Sequence, residues 1–132
     1  MNDRFKFRVW DKGNKRYQGT QDWQPYLDTD GDVCFINTDD VRNYPPENYF
    51  IIEQCTGLKD KNGNLIYEGD LIKVSPKASD KIMIVVFNEY CFECFDKDTN
   101  EYVLSLSVVN TVARSENIEI IGNIHEQPEQ KD

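Results

Sequence analysis

Thr56-Gly57-Leu58-Lys59-Asp60-Lys61-Asn62-Gly63-Asn64-Leu65-Ile66-Tyr67-Glu68-Gly69-Asp70 reverses the chain twice within one short stretch. Asp60 to Gly63 predicts the first turn, because Asp and Asn side chains bond their own backbone and glycine takes the positive φ that other residues resist. Leu65-Ile66-Tyr67 predicts a short strand. Glu68-Gly69-Asp70 then turns the chain into a further strand, Leu71 to Val74. The expectation is a hairpin followed by an arc, with no recognisable active site inside it.

The same reading extends upstream. Phe5, Phe7 and Val9 alternate with Lys6, Arg8 and Trp10, the period-two mark of a half-buried strand over 4–10. Asp11-Lys12-Gly13-Asn14 predicts a turn. Residues 18–48 are polar and rich in Asp and Pro, an irregular part anchored by Trp23, Tyr26 and Leu27, with a short strand at Val33 to Ile36. Thr38 is placed to cap one helical turn through Arg42 before Pro45-Pro46 ends it. Tyr49 to Cys55 predicts a more buried strand.

Downstream, Leu71 to Val74, Ile82 to Phe87, Cys91 to Phe95 and Ile118 to Ile124 are β-branched or aromatic runs. Asn88-Glu89 and Asp96 to Asn100 are hairpin links between runs. Leu104 to Arg114 is divided: Leu104, Val108 and Val112 fit a helical face, while its β-branched content favours a strand. A short helix is expected there. Asp-Lys, an Asn and a closing Tyr recur at 11–17, 60–67 and 96–102, with irregular spacing, which is repeated turn chemistry and not a solenoid. The expected fold is all-β and mainly antiparallel, a small SH3-like or partly open barrel with at most one or two short helices. One domain, 1–132, is expected: strands and an irregular segment over 4–56 packing on a barrel core over 57–126, with a frayed tail over 127–132.

A chain of 132 residues buries about two-thirds of its unfolded surface on folding, and sixteen aromatic residues supply ring packing for one core. The start, Met1-Asn2-Asp3-Arg4-Phe5-Lys6, has no apolar segment, and no apolar run approaches the roughly 20 residues of a membrane span. A soluble, cytoplasmic protein, with no membrane partner, is expected. Its four cysteines read as reduced thiols in that setting. The net charge of −9 disfavours nonspecific nucleic-acid binding, because phosphates need cations to displace their counterions. That charge is unevenly spread: residues 1–16 carry a net +4 and residues 22–53 a net −7. Intramolecular compensation accounts for this, as does docking of one copy's basic start on a neighbour's acidic segment.

Candidate chemistry is thin. Cys91-Phe92-Glu93-Cys94 has zinc or redox spacing, but it lies in a strand pattern, where side chains three apart point to opposite faces. Only Cys34, Cys55 and His125 could complete a zinc site. Asp28, Asp30, Asp32 and Asp39 imitate a calcium loop, yet the sixth position is Val33 instead of glycine, so an acidic hairpin loop is the better reading and weak cation contact stays open. His125 stands without a nucleophile motif. No catalytic residue, metal or cofactor is expected. Lys6, Arg8 and Trp10 share one strand face, the minimal kit for stacking a base or gripping a phosphate, and equally a structural Arg–Trp stack.

Three collinear motifs resemble the YopX-type proteins of phages and prophages: Phe7-Arg8-Val9-Trp10-Asp11, Thr56 to Gly63 with Ile66-Tyr67-Glu68-Gly69-Asp70, and Ile121-Gly122-Asn123-Ile124-His125-Glu126. The family often has Tyr where this chain has His125, which weakens any catalytic role for the histidine. The resemblance implies a mainly β protein carried on mobile phage genomes, with no established activity and no assigned catalytic residues. Gly69-Asp70-Leu71-Ile72-Lys73-Val74 is also similar to the Gly-Asp-x-Val-x-Val opening of SH3-like barrels.

The functional expectation is a non-enzymatic accessory protein that binds a host or phage protein, or further copies of itself. A nucleic-acid binder using Lys6, Arg8 and Trp10 is the alternative, as is an acidic decoy occupying a host protein's DNA site. Should copies associate through the basic start and the acidic segment, sedimentation would show the assembly shrinking as salt rises to about 1 M. A mass independent of salt removes the charge-docking version.

Overall fold

The computed structural model describes residues 6–18, 25–36, 42–43, 49–74, 82–88, 90–106 and 117–126. Its strands, in chain order, are β1 (Phe7–Asp11), β2 (Arg16–Tyr17), β3 (Pro25–Leu27), β4 (Val33–Ile36), β5 (Arg42–Asn43), β6 (Phe50–Lys59), β7 (Leu65–Tyr67), β8 (Asp70–Val74), β9 (Ile82–Asn88), β10 (Cys91–Asp96), β11 (Glu101–Ser105) and β12 (Ile118–Asn123). The pairings β1–β2, β3–β4, β4–β5, β6–β7, β8–β9, β8–β12, β9–β10 and β10–β11 are antiparallel. The chain groups into two compact units: Phe7–Glu53, and Met1–Lys6 with Gln54–Asp132.

The larger unit holds a five-stranded sheet in the order β11-β10-β9-β8-β12, curled into a half-barrel. Strands β8 to β11 follow one another as a meander, and β12 returns to pair with β8, as in the expected partly open barrel. Alternation decides the inner face. Ile72 pairs with Met83 and Val85 with Cys94, and these four side chains point into one cluster with Ile66, Leu106 and Ile118. Ile66, Ile72, Val85, Cys94 and Ile118 are wholly buried. Cross-strand apolar pairs of this kind are the unit of sheet stability. Beside Ile121 the β8–β12 register shifts, and Ile121 faces outward.

The β6–β7 hairpin closes over the β12 edge of that sheet through Asp60. Its Oδ1 accepts the N–H groups of Asn62 and Asn64, each at 2.9 Å, and its Oδ2 accepts the N–H of Ile120 at 3.1 Å. Beside it the Lys61 N–H donates to the Ile118 carbonyl at 2.8 Å, and Lys61 reaches Glu119 at 3.4 Å. The arc that follows is held the same way. Asp70 Oδ2 accepts the Tyr67 N–H at 2.8 Å, the Gly69 N–H donates to the Val85 carbonyl, and the Ile124 N–H donates to the Gly69 carbonyl. Gly63 and Gly69 have φ of 85° and 92°, the left-handed values the turn sequence predicts.

Several expectations are corrected. Leu104 and Ser105, the start of the helix expected over 104–114, belong to β11, where pairing with Cys94 and Glu93 outweighs the helical spacing; Leu106 follows in helical conformation, and residues 107–114 lie outside the described residues. Tyr26 and Leu27, expected as anchors of an irregular segment, sit in β3 and are 46% and 39% exposed. Trp23 and the helical turn from Thr38 fall outside the described residues, while Arg42 lies in β5. The buried strand expected over 49–55 runs on to Lys59.

Burial pushes the Asp60 carboxyl up, but the N–H donors of Ile120, Asn64 and Asn62, helped by the Lys61 charge, outweigh it and hold it below the ordinary value of 3.8. A lowered folded value adds stability that is complete above the unfolded value and lost as pH falls through the folded one. Asp60→Ala should therefore cost about 3 kcal/mol at pH 7, by stranding backbone donors. Its denaturation midpoint should also fall less than that of wild type between neutral pH and pH values below 3.8.

Candidate functional site

Within the unit Phe7–Glu53, β1 lies between β2 and β6. The hairpin β1–β2 turns on Asp11, which is 2% exposed and accepts the Asn14 N–H at 3.0 Å and Asn14 Nδ2 at 2.9 Å. Gln18 Nε2 donates to the same carboxylate at 3.0 Å. Burial raises the Asp11 carboxyl, and the Asn14 and Gly13 donors with the Arg16 charge reverse the shift to a net lowering. A Cβ on Gly13 would meet the Tyr49 hydroxyl, so a larger residue in this turn would push that half-exposed ring aside.

The basic and aromatic strand face takes a different form from a stacking platform. Arg8 Nε donates to Glu53 Oε1 at 2.7 Å, and Glu53 is 2% exposed. The Tyr17 hydroxyl donates to the same oxygen at 2.9 Å. The Arg8 guanidinium lies over the Tyr17 ring, 4.6 Å from its centroid, a cation–π contact that the expected Arg–Trp stack did not include. Trp10 meets Tyr17 edge-on at 4.9 Å and is 7% exposed. Lys6 is exposed. The structure thus brings Arg8 and Trp10 together around Tyr17 and Glu53, two residues that strand alternation did not single out. A Tyr at the end of the first Asp-Lys turn was the available signal.

The acidic loop between β3 and β4 is an Asx-type turn. Asp28 Oδ1 accepts the N–H groups of Asp30 and Asp32 at 2.9 Å each, and the Gly31 N–H donates to the Asp28 carbonyl at 3.0 Å. The carboxylates of Asp28, Asp30 and Asp32 approach within 4.8 Å of one another, held by turn geometry and not by a calcium-loop frame.

Strand β10 separates its two cysteines as alternation predicts. Cys91 is exposed and Cys94 is wholly buried. Burial, then the neighbouring Glu93 charge, pushes the Cys94 thiol up to about 12. The Cys91 thiol donates to Glu93 Oε2 at 3.6 Å. His125 lies in the turn after β12, where its backbone N–H and that of Glu126 donate to Asn123 Oδ1 at 2.9 and 3.1 Å. At the β9–β10 hairpin, Phe87 pairs with Phe92 edge-on at 5.0 Å, Phe87 is 46% exposed and Tyr90 is 91% exposed. Sequence reading placed Phe87 and Phe92 in strand runs and did not single out Tyr90.

The Arg8–Glu53 pair yields a test. Arg8→Ala leaves a buried carboxylate without its cation and should cost about 3–5 kcal/mol. Adding Glu53→Leu should recover part of that loss in a double-mutant cycle, measured by denaturant unfolding. Equal, additive losses would show the pair to be uncoupled.

Comparison with known proteins follows from this geometry. No curated protein matches the chain. The crystal structure of protein yopX from Bacillus subtilis is similar over 100% of both chains, with 21% identity and a TM-score of 0.59. The crystal structure of protein EF1440 from Enterococcus faecalis is similar over 92% of this chain and 93% of that one, with 24% identity and a TM-score of 0.60. These likenesses establish a shared fold. A family model described as YopX protein matches residues 6–130, and the chain belongs to the YopX family.

Proposed function

We propose that this chain is a non-enzymatic accessory protein of a phage or prophage, acting in the bacterial cytoplasm as a protein-interaction module. The observation that carries the reading is the aromatic tip of the β9–β10 hairpin. Tyr90 stands at 91% exposure in the turn, beyond the Asn88–Cys91 pair that follows Phe87–Phe92, and Phe87 adds a ring that is 46% exposed. Apolar area left in water forgoes about 25 cal/mol per Å². Clustered exposed rings are the composition of interface anchors. The polar groups, in contrast, are occupied in holding backbone: Asp11, Asp60 and Asp70 accept N–H groups, and Arg8 is bound to Glu53.

The partner in this reading is a host or phage protein. Nucleic acid is the weaker candidate, because the ring that would stack, Trp10, is 7% exposed, and the neighbouring cation is engaged. Tagged protein recovered from host lysate should bring down one stoichiometric protein with or without nuclease treatment. Tyr90→Ala, a change at an exposed position that alters stability by no more than about 0.5 kcal/mol, should weaken that recovery. Recovery that depends on intact nucleic acid would overturn the reading, as would recovery unchanged in a Tyr90→Ala, Phe87→Ala variant.

A further inference from the structure

Two hairpins share one five-residue frame, Asp28-Thr29-Asp30-Gly31-Asp32 and Asp60-Lys61-Asn62-Gly63-Asn64. In each, the leading Oδ1 accepts the N–H groups of the third and fifth residues at 2.9 Å. The glycine N–H donates to the leading carbonyl at 3.0 Å, and both glycines have φ of 85°. The leading N–H donates to the fifth carbonyl, at 3.0 and 2.9 Å. The residue before glycine is Asp30 in one turn and Asn62 in the other.

Asn62 is exposed, and it is the only asparagine in the sequence followed by glycine. In that pair the backbone nitrogen of Gly63 meets no Cβ of its own residue as it approaches the Asn62 side chain. Attack forms a bond from Gly63 N to Asn62 Cγ, the Cγ–Nδ2 bond breaks, and ammonia leaves with the proton that Gly63 N gives up. Water then opens the five-membered imide at one of its two carbonyls, giving aspartate or isoaspartate. Water is the sole co-reactant.

We propose that Asn62 is a site of spontaneous deamidation in this chain, guarded while the turn is closed. The attacking nitrogen must turn away from the Asp60 carbonyl that its N–H now meets at 3.0 Å. The surrounding bonds to Asp60 hold both partners of the reaction in the turn frame. Reaction therefore proceeds through local opening of the β6–β7 hairpin. The two products then differ in consequence. Aspartate at 62 reproduces the residue that the companion turn already carries at Asp30. Isoaspartate inserts a methylene into the main chain, displaces the Asn64 N–H from Asp60 Oδ1 and loosens the Oδ2 bond to Ile120.

The test incubates the native chain and the urea-unfolded chain in the same mildly alkaline buffer, with peptide mapping by mass spectrometry. Loss of Asn62 should be slower by about tenfold or more in the native chain, and Asn62 should be the first asparagine lost on unfolding. Asn62→Asp should melt with wild-type protein, while isoaspartate-containing molecules should melt earlier. Asp60→Asn should speed the loss of Asn62 under native conditions, and the urea comparison reads the same protection where that variant does not fold. Equal rates in the two states, or another asparagine reacting first, would overturn the proposal.

Discussion

Three backbone N–H groups converge on one buried carboxylate, that of Asp60, and the closure of the larger unit depends on it. Among the described residues, strand pairing leaves the outer edge of β12 without a neighbouring strand, and a row of unpaired donors there would be costly. The chain meets this with a turn instead of a strand. Asp60 orders its own loop through Oδ1 and takes the Ile120 N–H with Oδ2, while the Lys61 N–H reaches the Ile118 carbonyl. The turn thus serves both the hairpin and the edge of the sheet. The core cluster of Ile66, Ile72 and Ile118 lies where β7, β8 and β12 are brought together by that arrangement.

What was legible in the sequence was local. The turns at 11–14, 60–63 and 96–100 follow from Asp, Asn and Gly chemistry that acts within four residues, and the strands between them follow from alternation. The bond from Ile120 to Asp60 spans sixty residues, and no periodicity encodes it. Trp10 shows a second limit. Alternation along β1 assigns it to a solvent-facing row, but Tyr17 packs against it from β2, and both faces are covered by the end of the strand. Leu104 shows a third: the helical spacing that begins there is a local preference, and at Leu104 and Ser105 the β10 ladder overrides it.

The candidate site was less legible than the fold for a related reason. A strand pattern places Arg8 on a face without saying what lies across it, and Glu53 comes from a strand far along the chain. The isolated signals, Cys91 with Cys94, His125 and the Asp28 cluster, each resolve into strand alternation or turn geometry. The aromatic tip at Phe87 and Tyr90 could not be read as a surface because rings in a β pattern are ordinarily core. The family motifs themselves are the turns and strand ends that hold the backbone, so membership identifies an architecture before it identifies an activity.

The burial of acids changes the meaning of the net charge. Asp11, Glu53, Asp60, Asp70 and Asp96 are each at most 4% exposed, and the formal charge of −9 counts all of them. Their fields are answered locally, by peptide dipoles in the turns and by the Arg8 guanidinium. Peptide dipoles carry no net charge, so the buried acids still count toward the field an approaching molecule feels at long range. What their burial removes is direct contact: a cationic partner drawn in by that field can form ion pairs only with the exposed carboxylates, because these five are already engaged in the fold.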